Sequence, residues 1–181
     1  MKFTDIGIAG AVVIEPERLA DQRGFFARTW CEEEFAAHGL SNKLVQCSIS
    51  FNRRRGTVRG MHYQTPPHAE AKLIRCTMGA IYDAIVDLRA DSPSYLKSFG
   101  IELSQENRTM LYVPEGCAHG FQTLADDTEV FYQMSEVFVP GCSAGHRWND
   151  AAFGIAWPLD VSVISERDRT YPDFRAAAVN R

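Results

Sequence analysis

Short apolar runs broken by turn residues recur along the chain, and only one stretch has helical character. Ile6 to Ile14 is a nearly unbroken apolar run closed by Glu15-Pro16, which predicts a buried strand. Asp21-Gln22-Arg23-Gly24 predicts a turn, and Phe25 to Trp30 is aromatic and β-prone. Thr29 and Glu32 have the spacing of a capping box, Glu32-Glu33-Glu34 suits a helix N-terminus, and Gly39 stands where that helix would stop. Beyond it, strands are predicted over 45–51, 57–63, 71–78, 80–88, 97–103, 110–113, 120–124 and 128–139, with a further one around Arg147-Trp148. Met78-Gly79 predicts the tight turn of a hairpin. Many short strands and one helix imply an all-β sandwich or closed roll.

Length narrows this to one domain over residues 1–181, with a polar tail from about residue 164. A hydrophobic share of 45% is that of an ordinary globular protein. The net charge of −4 excludes a general nucleic-acid or membrane-surface binder, since both need a basic footprint. Local arginines and lysines must therefore meet any anionic ligand. The five cysteines, at 31, 47, 76, 117 and 142, contain no CxxC pair and suit reduced thiols. The N-terminus has no leader-like pattern, and the 6–14 run is too short to cross a bilayer. A cytoplasmic setting is expected.

The candidate chemistry starts at Arg59-Gly60-Met61-His62-Tyr63-Gln64. Gly56 followed by His62-x-Gln64, and Pro114-x-Gly116-x-x-His119 further on, match the skeleton of the cupin jelly-roll motifs. Metal-binding cupins want HxH, a glutamate and a third histidine. Here the second histidine is Gln64, His68 stands near the expected glutamate, and Glu70 comes late. His62 and His119 alone cannot complete a metal sphere of three or more protein ligands, so no metal is expected.

What remains fits proton transfer. In a regular strand Arg59 and His62 point to opposite faces, so a bulge or twist at Gly60 is needed to bring both into one cavity. The bland alternative for a lone histidine is a satisfied polar residue, and His38 and His146 read as a helix-end and a loop residue. Lys72, in the apolar run Ala71-Lys72-Leu73-Ile74, is costly to bury unless something anionic meets it. Asp168 would on spacing alone be a solvated charge.

Several motifs occur in order along the chain: Asp21-x-Arg23-Gly24-Phe25-Phe26, Gln46-x-Ser48-x-Ser50, Arg59-Gly60-x-His62-Tyr63-Gln64 and Lys72-Leu73-Ile74-Arg75-Cys76. Asp87-Leu88-Arg89, Pro114-x-Gly116-x-x-His119-Gly120-Phe121, Trp148-Asn149-Asp150 and Ser165-x-x-Asp168 follow. Together they resemble the dTDP-4-dehydrorhamnose 3,5-epimerase family, sugar-nucleotide epimerases of the cupin superfamily, from about Ile6 to Pro172.

The resemblance implies a cupin-type jelly roll that inverts the carbons flanking the C4 ketone of dTDP-4-keto-6-deoxyglucose, feeding dTDP-4-keto-L-rhamnose into deoxysugar synthesis. It implies His62 as base, oriented by Asp168, with Tyr132 as the acid on the opposite face and Lys72 beside the ketone oxygen. No cofactor is implied, because the ketone is itself the electron sink. Arg59, His119, Gln46 and Ser48 are implied around the nucleotide sugar, with Arg28, Phe138 and Arg167 as further binding positions. Arg23 and Phe26 are implied to reach the neighbouring subunit's site, in a homodimer that exchanges its N-terminal strand.

Three positions depart from the family pattern. Arg28 replaces a glutamate, Ser48 an asparagine and Phe138 a tyrosine. They bear on the nucleotide and sugar, not on the reaction type. Three rival readings remain: an enzyme inverting C3 only or C5 only or using another nucleotide, a cupin that binds sugar without turnover, and a metal-dependent cupin oxygenase.

Overall fold

In the computed structural model, which describes residues 1–175, most strands build two facing sheets and one hairpin forms a two-stranded sheet of its own. In chain order they are β1 (Lys2–Asp5), β2 (Val12–Glu15), β3 (Leu19–Asp21), β4 (Gly24–Phe26), β5 (Gln46–Asn52), β6 (Thr57–Gln64) and β7 (Lys72–Met78). Then come β8 (Ala80–Asp87), β9 (Ser98–Ser104), β10 (Met110–Val113), β11 (Cys117–Thr123), β12 (Thr128–Met134), β13 (Ser143–Gly145) and β14 (Val163–Ile164). The helices are α1 (Glu32–Ala37) and α2 (Glu166–Thr170). One sheet runs β1-β2-β10-β7-β12-β5 and the other β13-β6-β11-β8-β9, with β14 alongside β6. This is the all-β roll that the strand pattern predicts.

Period-2 alternation sends every second side chain into the space between the sheets. Ile74, Leu111, Val113 and Val130 from the first sheet meet Ile81, Ile85, Leu103 and Phe121 from the second. The outer face of the first sheet is covered at one end by α1, through Phe35 against Leu73, Met110 and Tyr112. That of the second is covered by the segment bearing Phe153, Trp157 and Phe174, packed on Met61, Val86 and Ala118. The interior thus has an apolar floor and, towards β5, a polar wall. Gln46, Ser48, Ser50 and Asn52 alternate there with the outward Cys47, Ile49 and Phe51.

Several local expectations need correction. The 6–14 run is not one strand: Gly7 and Gly10, both at positive φ, turn the chain between β1 and β2. The predicted β segment 25–30 pairs only as far as Phe26, opposite Leu19. Thr29 does not cap α1; the N-cap is Cys31, with no side-chain cap bond. Gly39 does end that helix, at φ +69°, donating to the Ala36 carbonyl at 3.0 Å. Met78-Gly79 is not a hairpin turn, because β7 and β8 lie in different sheets and the glycine carries the chain across. The strand expected near Arg147 lies earlier, as β13. The tail is not loose where it is described: β14 and α2 pack on β6, and Asp168 is only 4% exposed. The part of the tail beyond residue 175 lies outside the described residues.

Candidate active site

The second sheet carries the histidines. β6 and β11 pair with His62 opposite His119 and Arg59 opposite Phe121, so β6 has one residue more than its partner across this stretch. That is a β-bulge, centred on Gly60, and it turns Arg59 and His62 to the same inner face. Gly60 sits at φ +132°, and a Cβ there would meet the Gly120 Cα at 2.5 Å. Only glycine fits, for both backbone and space. Gly60→Ala is expected to lose about 1–3 kcal/mol from backbone strain, before counting the clash. It should also displace the Asp168 anchor and so cut activity; an unfolding midpoint and turnover equal to wild type would refute this.

His62 Nε2 lies 2.7 Å from Asp168 Oδ1. The carboxylate is an acceptor only, so the imidazole donates from Nε2 and carries its lone pair on Nδ1. Asp168 is brought here by a short helix whose start follows from its sequence. Ser165 is the N-cap of α2, and its Oγ accepts from the Asp168 N–H at 3.1 Å. The second carboxylate oxygen accepts from the Gly60 N–H at 3.2 Å. Burial alone would lift this carboxyl, but the His62 contact, the Gly60 N–H and the Ser165 side chain together outweigh it and hold it below its ordinary value. An anionic partner is thus fixed behind the imidazole, whose own side chain remains 38% exposed.

His119 repeats the arrangement deeper in the roll. Its Nε2 lies 2.6 Å from Asp83 Oδ1, on a carboxylate with no exposure at all. Burial drives the Asp83 carboxyl up, against the opposing pull of His119. Among the described residues, Asp83 Oδ2 has no hydrogen-bond partner and no group of three or more His, Cys, Asp or Glu residues is arranged to hold a metal.

Tyr132 faces this pair from the first sheet, its ring centroid 6.0 Å from that of His119 in an edge-on arrangement. Burial, then the Asp83 charge, push its phenol far above the ordinary value, while Arg59 acts the other way. The hydroxyl is therefore held protonated. Lys72 shares this inner face, since its neighbour Met134 is two residues along β12 from Tyr132. The anion it needs is Glu70, at 2.6 Å, and both are buried.

The expected binding positions divide into two sets. On the inner face, Arg59 Nε donates to Asn52 Oδ1 at 2.8 Å, Ser48 stands opposite Tyr132, and Gln46 Oε1 accepts from the Phe138 N–H at 3.1 Å. Phe138 itself is 53% exposed. Away from this face, Arg23 is an exposed hairpin residue paired with Asp21, and Phe26 is 73% exposed. Arg28 pairs with Glu34 of α1 at 2.9 Å. Arg167, on α2, donates to Ser143 Oγ at 2.9 Å and lies over the Tyr171 ring.

Sequence reasoning missed Asp83, Glu70 as partner of Lys72, Asn52, and Tyr171, whose ring packs 6.1 Å from that of His62. Asp83 had a signal: it is a lone acid in the apolar run Ile81–Val86, as conspicuous as Lys72 in its own strand. A cavity of about 540 Å³ borders Tyr63, Leu88, Tyr95, His146 and Phe174 and does not include His62.

Comparison with known proteins bears on the family. The family model described as dTDP-4-dehydrorhamnose 3,5-epimerase matches residues 5–176. A protein of that name from Sinorhizobium fredii is 42% identical over 175 residues, covering 96% of this chain and 90% of its own. The crystal structure of a Bacillus anthracis dTDP-4-dehydrorhamnose 3,5-epimerase with TDP and PPi bound superposes with a TM-score of 0.92 at 38% identity, covering 96% and 99% of the two chains. ChmJ, a 3'-monoepimerase from Streptomyces bikiniensis in complex with dTDP-quinovose, gives 0.86 at 31% identity, covering 94% and 86%. With a matched model over nearly its whole length and the cupin-type sandwich in place, the chain belongs to the dTDP-4-dehydrorhamnose 3,5-epimerase family.

Proposed function

We propose that the protein inverts C3 and C5 of dTDP-4-keto-6-deoxyglucose, giving dTDP-4-keto-L-rhamnose. The observation that carries this reading is a carboxylate-backed imidazole on one sheet and, on the other, a tyrosine packed edge-on to the histidine that pairs with it. Protons beside a ketone are weakly acidic, so their removal needs a placed base, a group on the enolate oxygen and an acid on the other face. In this scheme His62 Nδ1 takes the proton, the Asp168 carboxylate stabilises the imidazolium, and Lys72 meets the enolate oxygen. Tyr132 then delivers a proton from the opposite side. Arg59, Gln46, Ser48 and His119 hold the nucleotide sugar, with Arg28, Phe138 and Arg167 at its margin, and no cofactor takes part.

Incubation with the substrate in deuterated water, followed by proton NMR, tests the assignment. Deuterium at both carbons with inverted configuration is expected. Inversion at C3 alone would make the enzyme a monoepimerase, and no exchange would leave a sugar-binding protein.

The reading includes a homodimer in the cytoplasm. Support for the dimer comes from apolar surface that a lone subunit leaves open: Leu19, Phe25 and Phe26 on the hairpin, and Ile49 and Phe51 on the end strand β5. Support for the setting comes from five free thiols, of which burial lifts Cys76 to about 11 and Cys117 to about 12. No helix among the described residues is long and apolar enough to cross a membrane. If Arg23 and Phe26 complete the partner's site, inactive His62→Asn and Arg23→Ala proteins should regain activity when their subunits are exchanged. Mixed dimers that stay inactive would return Arg23 to its own subunit's site.

A further inference from the structure

Each inversion leaves the base with a proton gained and the acid with one lost. A site that inverts two carbons in turn must therefore be reset between them. The two partners differ in how this can happen. The exposed side of His62 can pass its proton to water. Tyr132 opens onto the space the substrate would fill, and a phenolate there is disfavoured by burial and by the Asp83 charge. Its neighbour is His119, whose Nε2 is committed to Asp83 and whose Nδ1 has no hydrogen bond from the described residues. Behind it, Asp83 holds one oxygen with no partner in a fully buried place, which is expensive for a residue that serves only to fill space.

We propose that Asp83 and His119 form the proton store that reloads Tyr132 between the two inversions. The idea rests on the epimerase reading above. In the reset step the Tyr132 phenolate oxygen takes the proton from Nδ1 of a His119 imidazolium, directly or across one water. The N–H bond breaks as the O–H bond forms. His119 becomes neutral, its Nε2–H still on the Asp83 carboxylate, and the total charge of the three groups is unchanged. One stored proton serves one substrate, because the second inversion is the last. After the product leaves, water returns one proton to Tyr132 and one to His119 Nδ1, matching the two that His62 has released. Asp83 acts through His119 and is a positioning residue, the counter-charge that lets a buried imidazole carry the proton.

The test is Asp83→Asn, in rapid-quench experiments with enzyme in excess of substrate and both singly and doubly inverted sugars measured. The amide keeps the shape and removes the counter-charge. The first inversion should stay within about threefold of wild type while the second slows by about tenfold or more, so that singly inverted sugar accumulates. A purely structural or binding role predicts something else: both steps slowed in proportion, or neither, with an unchanged product ratio. Either result overturns the proposal. If the amide variant does not fold, Asp83→Ala with added formate carries the same test. Recovery of the second inversion by formate supports the store, and no response to formate in folded protein refutes it. Wild-type enzyme that fails to invert both carbons would sink the epimerase reading itself, so the two failures are separable.

Discussion

His62→Asn is expected to abolish deuterium incorporation at C3 and C5 together. Asparagine fits the space, and although its shorter amide does not reach the Nε2 position, the Gly60 N–H still holds Asp168, so α2 stays anchored to β6. What disappears is the basic lone pair on Nδ1. No other group on the inner face replaces it: Lys72 is tied to Glu70, and His119 is buried against the ring of Tyr132, on the acid's side. General-base removal costs about two to four orders of magnitude in rate. The half-exposed ring contributes little to the core, so the unfolding midpoint should hardly move. Exchange at either carbon near the wild-type rate would mean a second base, and the single-base scheme would fall.

Tyr132→Phe is expected to separate exchange from inversion. Without the hydroxyl, His62 can still take a proton, because the ketone and Lys72 stabilise the enolate. Protonation from the opposite face is lost, and His62 returns a solvent-derived proton to the side it came from. Deuterium should therefore enter the substrate with its configuration retained, while inverted product falls by about two orders of magnitude or more. The phenyl ring keeps its edge-on contact with His119, so substrate affinity should change little. Inversion within a few fold of wild type would strip Tyr132 of its role and pass it to water.

The fold class was legible because alternation and turn residues are local signals, and so was the need for a bulge at Gly60. Which sheet a strand joins was not legible. The glycine in Met78-Gly79 announces a turn, yet whether the chain folds back or crosses over depends on packing that lies far along the sequence. The helix start was misplaced because Thr29 and Glu32 have the spacing of a cap without its geometry. The site was partly legible. Lys72 declared itself as a charge in an apolar strand, whereas nothing local distinguishes Asp168 from a solvated acid. Its partner is 106 residues away, and only the tertiary structure joins them.

That separation has a kinetic and thermodynamic side. The sheets are closed by strands up to residue 145, but the acid behind His62 arrives on a two-residue strand and a five-residue helix. Such a segment opens as a unit of its own, at a smaller free energy than the whole domain. When α2 lifts away, the imidazole loses its anchor while the roll stays shut. Catalytic competence is then a property of the least protected part of the molecule. In rising urea, turnover should vanish before the circular dichroism of the sheets changes, and amide protons of residues 163–170 should exchange ahead of those in β8 and β11. During synthesis the same logic keeps the enzyme silent until residues 163–170 have left the ribosome.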